Sequence, residues 1–444
     1  MSAAVNMAAV PASTVVTNDE GGASVLYRGI RNMLRCDDAE VVRGIARYVV
    51  AQHPALRLLS TVIESTRGTF IPGVVALAGC LRAFFAVGSV PGTSGGVWIA
   101  RLSNERRAIE PFIVHAPDLQ WHEVRFVHFS NMSTAVSLRQ NMRPRRMIKL
   151  ARRLHRRYEF FKVLRVFEFI GYYQRYSQLF RDRNYQIALT SNHSNPHGVA
   201  FNLAARRFAV PIVLVTHGMP VRPVARLSYD LAVVHCAAAH ETYVAEGCQL
   251  KQVLIHGRRQ DWAPMPSRLP EVLTVGLFLC KDVNEARLRT LVAELSQHEG
   301  VRQLLIRPHP KNLWRGMERW IASLNDPRIV LSSRGQVMDD IRKTDIVLAG
   351  NSSVLIDAVV AGRPAGFVSG LDHGPPDVHR FVAQGSIYPV IQSDQGLTWD
   401  PASLLSFYQR PEWPSLLRAF ANIEAAHAGV VEDAVTIMHH LARQ

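Results

Sequence analysis

The spacing of apolar residues changes character along the chain. From Ala23 to about Val87 it is helical: Val41, Val42, Ile45, Val49 and Val50 share one face, and Leu56, Leu58, Leu59, Val62 and Ile63 continue it. Residues 1 to about 20 lack such periodicity and predict a loose terminal arm. Phe70 to Val90 is the most apolar stretch, but Pro72, Gly73, Gly79, Arg82 and Gly88 interrupt it. It predicts a buried or membrane-touching helix, not a spanning one. A Gly/Pro/Ser-rich break at Gly88–Gly96 closes this front piece. Val97–Ala100, Phe112–Val114 and Val124–Phe129 then predict strands.

Beyond Arg183 the pattern alternates regularly between short apolar runs and helical segments. Ile187–Thr190, Ile212–Val215, Leu231–Val234 and Val253–Ile255 predict strands, with helices at Val199–Phe208 and through Tyr243 to Gly247. Gln260–Pro270 is proline-rich and predicts a linker. Strands at Val272–Leu279, Gln303–Ile306, Ile329–Leu331, Ile346–Leu348 and Phe367–Val368 follow, separated by helices at about 284–299, 314–324 and 336–342. Pro401–Gln444 is mostly helical and is expected to pack back across the linker. Strand–helix alternation at this pace requires right-handed crossovers and parallel sheets. The expected architecture is α/β, with two Rossmann-like domains facing a cleft and a helical N-terminal extension. The expected division is 1–90 for the extension, 91–262 and 270–425 for the two domains, and 426–444 for a C-terminal helix.

Length and composition fit that picture: 444 residues suffice for two cores, with 48% hydrophobic and 20% charged residues. The charge balance adds something. Fifty-one Lys and Arg against 36 Asp and Glu leave +15, which suits anionic partners or reflects a generally basic composition. Much of the excess lies in Arg143–Arg181, where Arg145, Arg146, Lys149, Arg152, Arg153, Arg156 and Arg157 surround Met147, Ile148, Leu150 and Leu154. Two readings are open there: an interfacial amphipathic helix on an anionic membrane surface, or a surface helix packed on its own domain. No nucleic-acid signature accompanies the run, so nucleic acid is not an expected partner. Five scattered cysteines without a CxxC pair point to neither zinc nor a disulfide framework and fit a reducing cytoplasm. MSAAVNMAAVPASTVV lacks the basic start and apolar core of a secretory signal, so the expected location is cytoplasmic, with peripheral contact to the inner membrane face.

Candidate chemistry gathers where strands end. Asp345–Pro364 reads as strand, small-residue turn, helix, stopped by Gly362-Arg363-Pro364. Its Asn351, Ser352 and Ser353 stand where a helix terminus would receive a phosphate, with Asp357 one turn on, suited to ribose hydroxyls. Arg307-Pro308-His309-Pro310 ends another strand; Arg307 has the fork geometry for a phosphate and His309 a further donor. On the first half, Thr216-His217-Gly218-Met219-Pro220 presents a general base in His217, with room for substrate at Gly218. His193, in the Ser-Asn-His-Ser-Asn-Pro loop, is a candidate for positioning the acceptor. No Asp-x-Asp pair is placed for a metal, since Asp339-Asp340 falls in a helix, so neither metal nor other cofactor is expected.

His217-Gly218-x-Pro220, Arg307-x-His309-Pro310 and Ser352-Ser353-x-x-x-Asp357 resemble the motif set of the CDP-glycerol glycerophosphotransferase (teichoic-acid polymerase-like) family. The His-Pro and Ser-Ser elements are also similar to those of bacterial sialyltransferases and capsule polysaccharide transferases. The resemblance spans about residues 185–370 and implies a two-domain GT-B fold. It implies His217 as base, Arg307 and His309 on donor phosphates, Ser352 and Ser353 on the pyrophosphate or nucleotide, and Asp357 on the ribose. Asn351 stands where the teichoic-acid group carries an aromatic residue. The implied activity moves a sugar or polyol phosphate from a CMP-, CDP- or UDP-linked donor to a surface polysaccharide or lipid-linked glycan, without metal. A nucleotide-sugar 2-epimerase of the same fold is the alternative enzyme. A non-enzymatic basic membrane- or nucleic-acid-binding protein built around Arg143–Arg181 is the alternative of another class.

Overall fold

Alternation within each apolar run decides which layer a strand side chain enters. The computed structural model describes residues 62–444 apart from 67–68, 89, 91, 127–143, 157, 221, 223, 257–261, 311–313, 315, 333–334, 375, 391, 394–395, 398–399 and 422–428. The expected arm at 1–20, the helical pattern over 23–61, Arg143, Arg157 and the first two linker positions lie outside the described residues.

The first sheet is wholly parallel, in the order β2-β1-β3-β4-β5-β6. Its strands are β1 (Ser94–Ile99), β2 (His122–Glu123), β3 (Asn184–Thr190), β4 (Ile212–Val215), β5 (Ser228–Val234) and β6 (Gln249–Ile255). Ile187, Leu189, Val213, Val215, Leu231 and Val233 enter one core, and Tyr185, Ala188, Ile212, Leu214, Tyr229 and Ala232 enter the other. That two-sided burial is what continuous apolar strands require. Helices α1 (Ile71–Ala86), α4 (Phe160–Arg181) and α5 (Pro196–Arg207) build the second of these cores. The first is closed by α2 (Ser103–His115). Between them in sequence lies α3 (Pro144–His155), and α6 (Ala237–Ala245) follows β5.

Two expectations for this half are corrected. Phe112–Val114 is not a strand but the last part of α2. The carboxylate of Glu105 accepts the Arg101 N–H at 2.6 Å and the Leu102 N–H at 3.1 Å, fixing a helix start, and Ile109, Phe112 and Ala116 form its buried stripe. Val124–Phe129 pairs earlier than expected, as His122–Glu123, with Val124 N–H bonding the Trp98 carbonyl at 2.9 Å. Phe126 makes an isolated bridge to Val87, and 127–129 lie outside the described residues.

The basic stretch also divides. Met147, Ala151 and Leu154 of α3 face the protein while Arg145, Lys149, Arg153 and Arg156 are exposed, so α3 packs on its own domain. Helix α4 is core: Phe160, Phe161, Val163, Phe167, Phe169, Ile170 and Tyr176 are buried in it. Gly171 allows α1 to approach closely, since a Cβ there would stand 2.1 Å from the Cys80 carbonyl oxygen. Arg82, on α1, pairs with Glu168 of α4, which Arg165 also contacts at 3.2 Å. No helix among the described residues is long and apolar enough to cross a membrane.

The second sheet, also parallel, runs β9-β8-β7-β10-β11-β12. Its strands are β7 (Leu273–Phe278), β8 (Val301–Arg307), β9 (Ile329–Leu331), β10 (Ile346–Ala349), β11 (Ala365–Val368) and β12 (Tyr388–Val390). Numbered within the domain this is 3-2-1-4-5-6, the doubly wound order. Helices α7 (Glu285–Gln297), α8 (Met317–Ser323), α9 (Val337–Arg342) and α10 (Val354–Val360) make the connections. The chain ends in α11 (Pro401–Tyr408), α12 (Trp413–Ala421) and α13 (Val430–Ala442). The return across the linker is present: α12 packs on α6, and Gln409 donates to the Ser267 carbonyl at 3.0 Å. Val430, Ala434, Val435, Met438 and Leu441 of α13 then enter the core of the first sheet.

Candidate active site at two sheet edges

Ligands of open parallel sheets gather beyond the strand carboxyl ends, where the winding reverses. In the second sheet that point lies between β7 and β10. The loop after β10 is tightly built. Asp372, after β11, accepts the Asn351 backbone N–H at 2.7 Å, the Asn351 side-chain amide at 2.8 Å and the Gly374 N–H at 3.2 Å. The Val378 N–H donates to Asn351 Oδ1 at 2.9 Å, and the Cys280 thiol donates to the Asn351 carbonyl at 3.2 Å. Burial, with Asp372 and Asp282 nearby, holds that thiol far above its ordinary range, so it stays neutral. Gly350 makes room for the arrangement, because a Cβ there would lie 2.2 Å from Asp372 Oδ2.

These bonds reassign two expected ligands. Asn351 is committed to Asp372 and Val378 and acts as a strut between loops instead of a donor contact. Arg307 is 9% exposed, ion-paired with Asp340, and donates to the carbonyls of Gly335 at 2.8 Å and Gln336 at 3.4 Å. Its fork is therefore turned inward, onto a carboxylate of α9, three elements further along the chain. Burial alone would raise the Asp340 carboxyl, but bonds from Ser332 and Arg307, with Lys343, hold it below the usual range.

Ser352, Ser353 and Asp357 are half-buried around the start of α10, and His309 is half-buried on the β8 edge. The helix-terminus expectation changes here. Helix α10 has only seven residues; the Asn351 amide goes to Asp372, that of Ser352 to the Gly350 carbonyl at 2.8 Å, and that of Val354 to Ser352 Oγ at 3.4 Å. What the turn offers a phosphate is chiefly hydroxyl chemistry, and the Ser353 side chain makes no capping bond. Lys281, exposed after β7, supplies a cation at the switch point that the motif reading missed. Asp372 was missed as well; its only sequence signal was a Leu-Asp-His-Gly turn after a strand.

On the first sheet the reversal lies between β1 and β3. Glu105 spans it, accepting the β1-end amides and the Asn192 side-chain amide at 2.6 Å. Burial opposes its charge, but His197 and these donors hold its carboxyl below the ordinary range. Burial pushes the His197 imidazole down to about 4. Next to this clamp, Ser191 holds His217: Nδ1 lies 2.9 Å from Ser191 Oγ and 3.0 Å from its carbonyl oxygen. His217 is exposed beyond β4. Gly218 has open space where a Cβ would be and no positive φ, so neither packing nor backbone demands glycine there. His193 is 8% exposed, its Nδ1 2.9 Å from the Tyr243 hydroxyl, and so faces its own domain.

Two doubly wound domains, joined by a linker and a returning C-terminal helix, form the GT-B architecture. No protein-family model and no curated protein matches the sequence. Among solved structures, the calicheamicin glycosyltransferase CalG4 is similar at 12% identity, covering 80% of this chain and 99% of its own, with a TM-score of 0.47. S. aureus MnaA with UDP is similar at 13% identity over 78% of this chain and 96% of its own, with a TM-score of 0.42. Acinetobacter baumannii MurG is similar at 12% identity over 79% and 100%, with a TM-score of 0.38. Likeness at this level concerns the fold alone, and the chemistry of the site rests on the chain's own residues.

Proposed function

We propose that this protein is a metal-independent transferase. It moves a sugar or polyol phosphate from a CMP-, CDP- or UDP-linked donor to a hydroxyl of a surface polysaccharide or lipid-linked glycan. The observation that carries this reading is the second sheet's 3-2-1-4-5-6 order, with Ser352, Ser353 and Lys281 at its switch point. There the hydroxyls, Lys281 and His309 receive the donor phosphates, and Asp357 accepts from the ribose. His217 serves the acceptor. With Nδ1–H donated to the Ser191 carbonyl, Nε2 keeps its lone pair and takes the acceptor proton as the oxygen attacks. The bond to the nucleotide phosphate breaks, and its electrons leave with that phosphate, neutralised by the groups at the switch point.

A thermal-shift panel of CMP, CDP, UDP and GDP tests donor binding, because a product held by the folded state raises Tm. One nucleotide should raise Tm in the wild type and not in Ser352→Ala/Ser353→Ala. No shift with any of the four sinks the reading. Donor consumption without an acceptor would replace transfer by epimerisation, and activity destroyed by EDTA would remove metal independence.

A further inference from the structure

The outward side of α1 is apolar where a helix on a protein surface is normally polar. Its inner stripe is Pro72, Gly73, Ala76, Gly79, Cys80 and Ala83. On the opposite side Phe70 is 65%, Ile71 41% and Val74 45% exposed, and Val62, just before, is 53% exposed. Beside this face runs α3. A Cβ on Gly73 would lie 2.8 Å from Ile148, so the two helices touch there. Phe70 and Val74, then Arg145 and Lys149, sit one or three residues from that contact on their respective helices. Arg145, Lys149, Arg153 and Arg156 are exposed, and Pro144–His155 contains no acidic residue.

The position of this surface relates it to the base. Helix α4 leads into β3, so its last turn lies at the sheet's amino edge and its first turn at the carboxyl edge. Twenty-two helical residues span about 33 Å, whereas a strand of seven spans about 23 Å, so the first turns of α4 project beyond the carboxyl edge. Arg165, in those turns, reaches Asn195 after β3 at 3.4 Å. Helix α1 runs beside α4 in the same direction, with Gly79 against Leu164, Arg82 on Glu168 and Phe84 under Arg175. Phe70–Val74 therefore lies at the projecting end, on the sheet edge that carries His217.

We infer that the start of α1 and the cationic side of α3 together form a docking surface for an anionic bilayer. Phe70, Ile71 and Val74 enter the headgroup boundary while Arg145, Lys149, Arg153 and Arg156 meet lipid phosphates. The protein lies on the bilayer with the carboxyl edge of its first domain turned toward it, which brings a lipid-linked hydroxyl to the side of His217. The surface itself stands apart from the catalytic reading; only the delivery of acceptor rests on it.

Sedimentation of the full chain with phosphatidylcholine vesicles, with and without phosphatidylglycerol, tests it. Binding should require phosphatidylglycerol. Phe70→Ser/Val74→Ser and Arg145→Glu/Lys149→Glu should each weaken it by about tenfold or more, with Tm unchanged because all four side chains are exposed. Absence of binding overturns the proposal, as does wild-type binding in both variants. If binding appears only after residues 1–61 are deleted, that segment covers the surface instead. If Phe70→Ser/Val74→Ser changes a dimer to a monomer and leaves vesicle binding intact, a second copy is the occupant; both results overturn the bilayer. Nucleotide-induced Tm shifts are read separately, so failure of the docking surface and failure of the donor site are distinguishable.

Discussion

The Ser191 carbonyl accepts from His217 Nδ1 at 3.0 Å, and a carbonyl can only accept. With the proton on Nδ1 that bond forms and Nε2 is left with its lone pair. His217→Ala should therefore lower kcat by about 10²–10⁴-fold with nucleotide affinity retained. Ser191→Ala removes the hydroxyl but not the carbonyl and should cost far less. Steady-state kinetics beside nucleotide titration checks both; unchanged kcat in His217→Ala would remove it as base.

Arg307 tests whether a motif residue acts on ligand or on fold. Its partner Asp340 is buried, so Arg307→Met leaves that carboxylate with only Ser332 and Lys343 and should cost about 3 kcal/mol of stability. Arg307→Met/Asp340→Leu should recover most of that loss and still bind nucleotide. Urea denaturation with calorimetric titration separates the cases: a stable double variant that binds no nucleotide would return Arg307 to the phosphate site.

Lys281 should behave oppositely. Its exposure means Lys281→Ala leaves Tm unchanged while weakening nucleoside diphosphate binding more than nucleoside binding. Equal affinities for wild type and variant would exclude it from the phosphate site.

His197 predicts a pH dependence. Its pKa falls from 6.5 to about 4 on folding, chiefly through burial, so folding favours the neutral ring. The stability this gives is complete above about 6.5 and is lost as pH falls through the lowered folded value. Glu105, whose folded pKa is also depressed, loses its contribution in the same direction at lower pH. Tm measured from pH 7 to 4 should drop steeply in the wild type and more gently in His197→Gln.

Gly171 and Gly218 make a contrast. Adding a methyl to Gly171 drives it into the Cys80 carbonyl, so Gly171→Ala should destabilise by about 1–3 kcal/mol. Gly218→Ala meets open space and should leave Tm unchanged while impairing transfer. Thermal melts and initial rates distinguish the two.

What the residue pattern made legible was local. Ile346–Leu348 and Ile212–Val215 announce buried parallel strands because nothing else accommodates a short run that is apolar on both faces. Phe112–Val114 misled because three residues cannot show a helical period, and the deciding contact, Glu105 on the β1-end amides, lies upstream. The loop residues were identified at the right strand ends, but their partners were not. Arg307 finds Asp340 across 33 positions and Asn351 finds Asp372 across 21, separations at which no local pattern operates. The long basic run looked uniform because periodicity cannot tell whether an apolar face meets water or another helix; α4 meets α1 and α5.

Helix α13 makes the first domain discontinuous. Val430, Ala434 and Met438 follow every strand of the second sheet in sequence, yet they share the core that α2 closes on the first sheet. The chain therefore crosses between the two sheets twice, and a fragment cut at the linker would separate the first sheet from part of its own core.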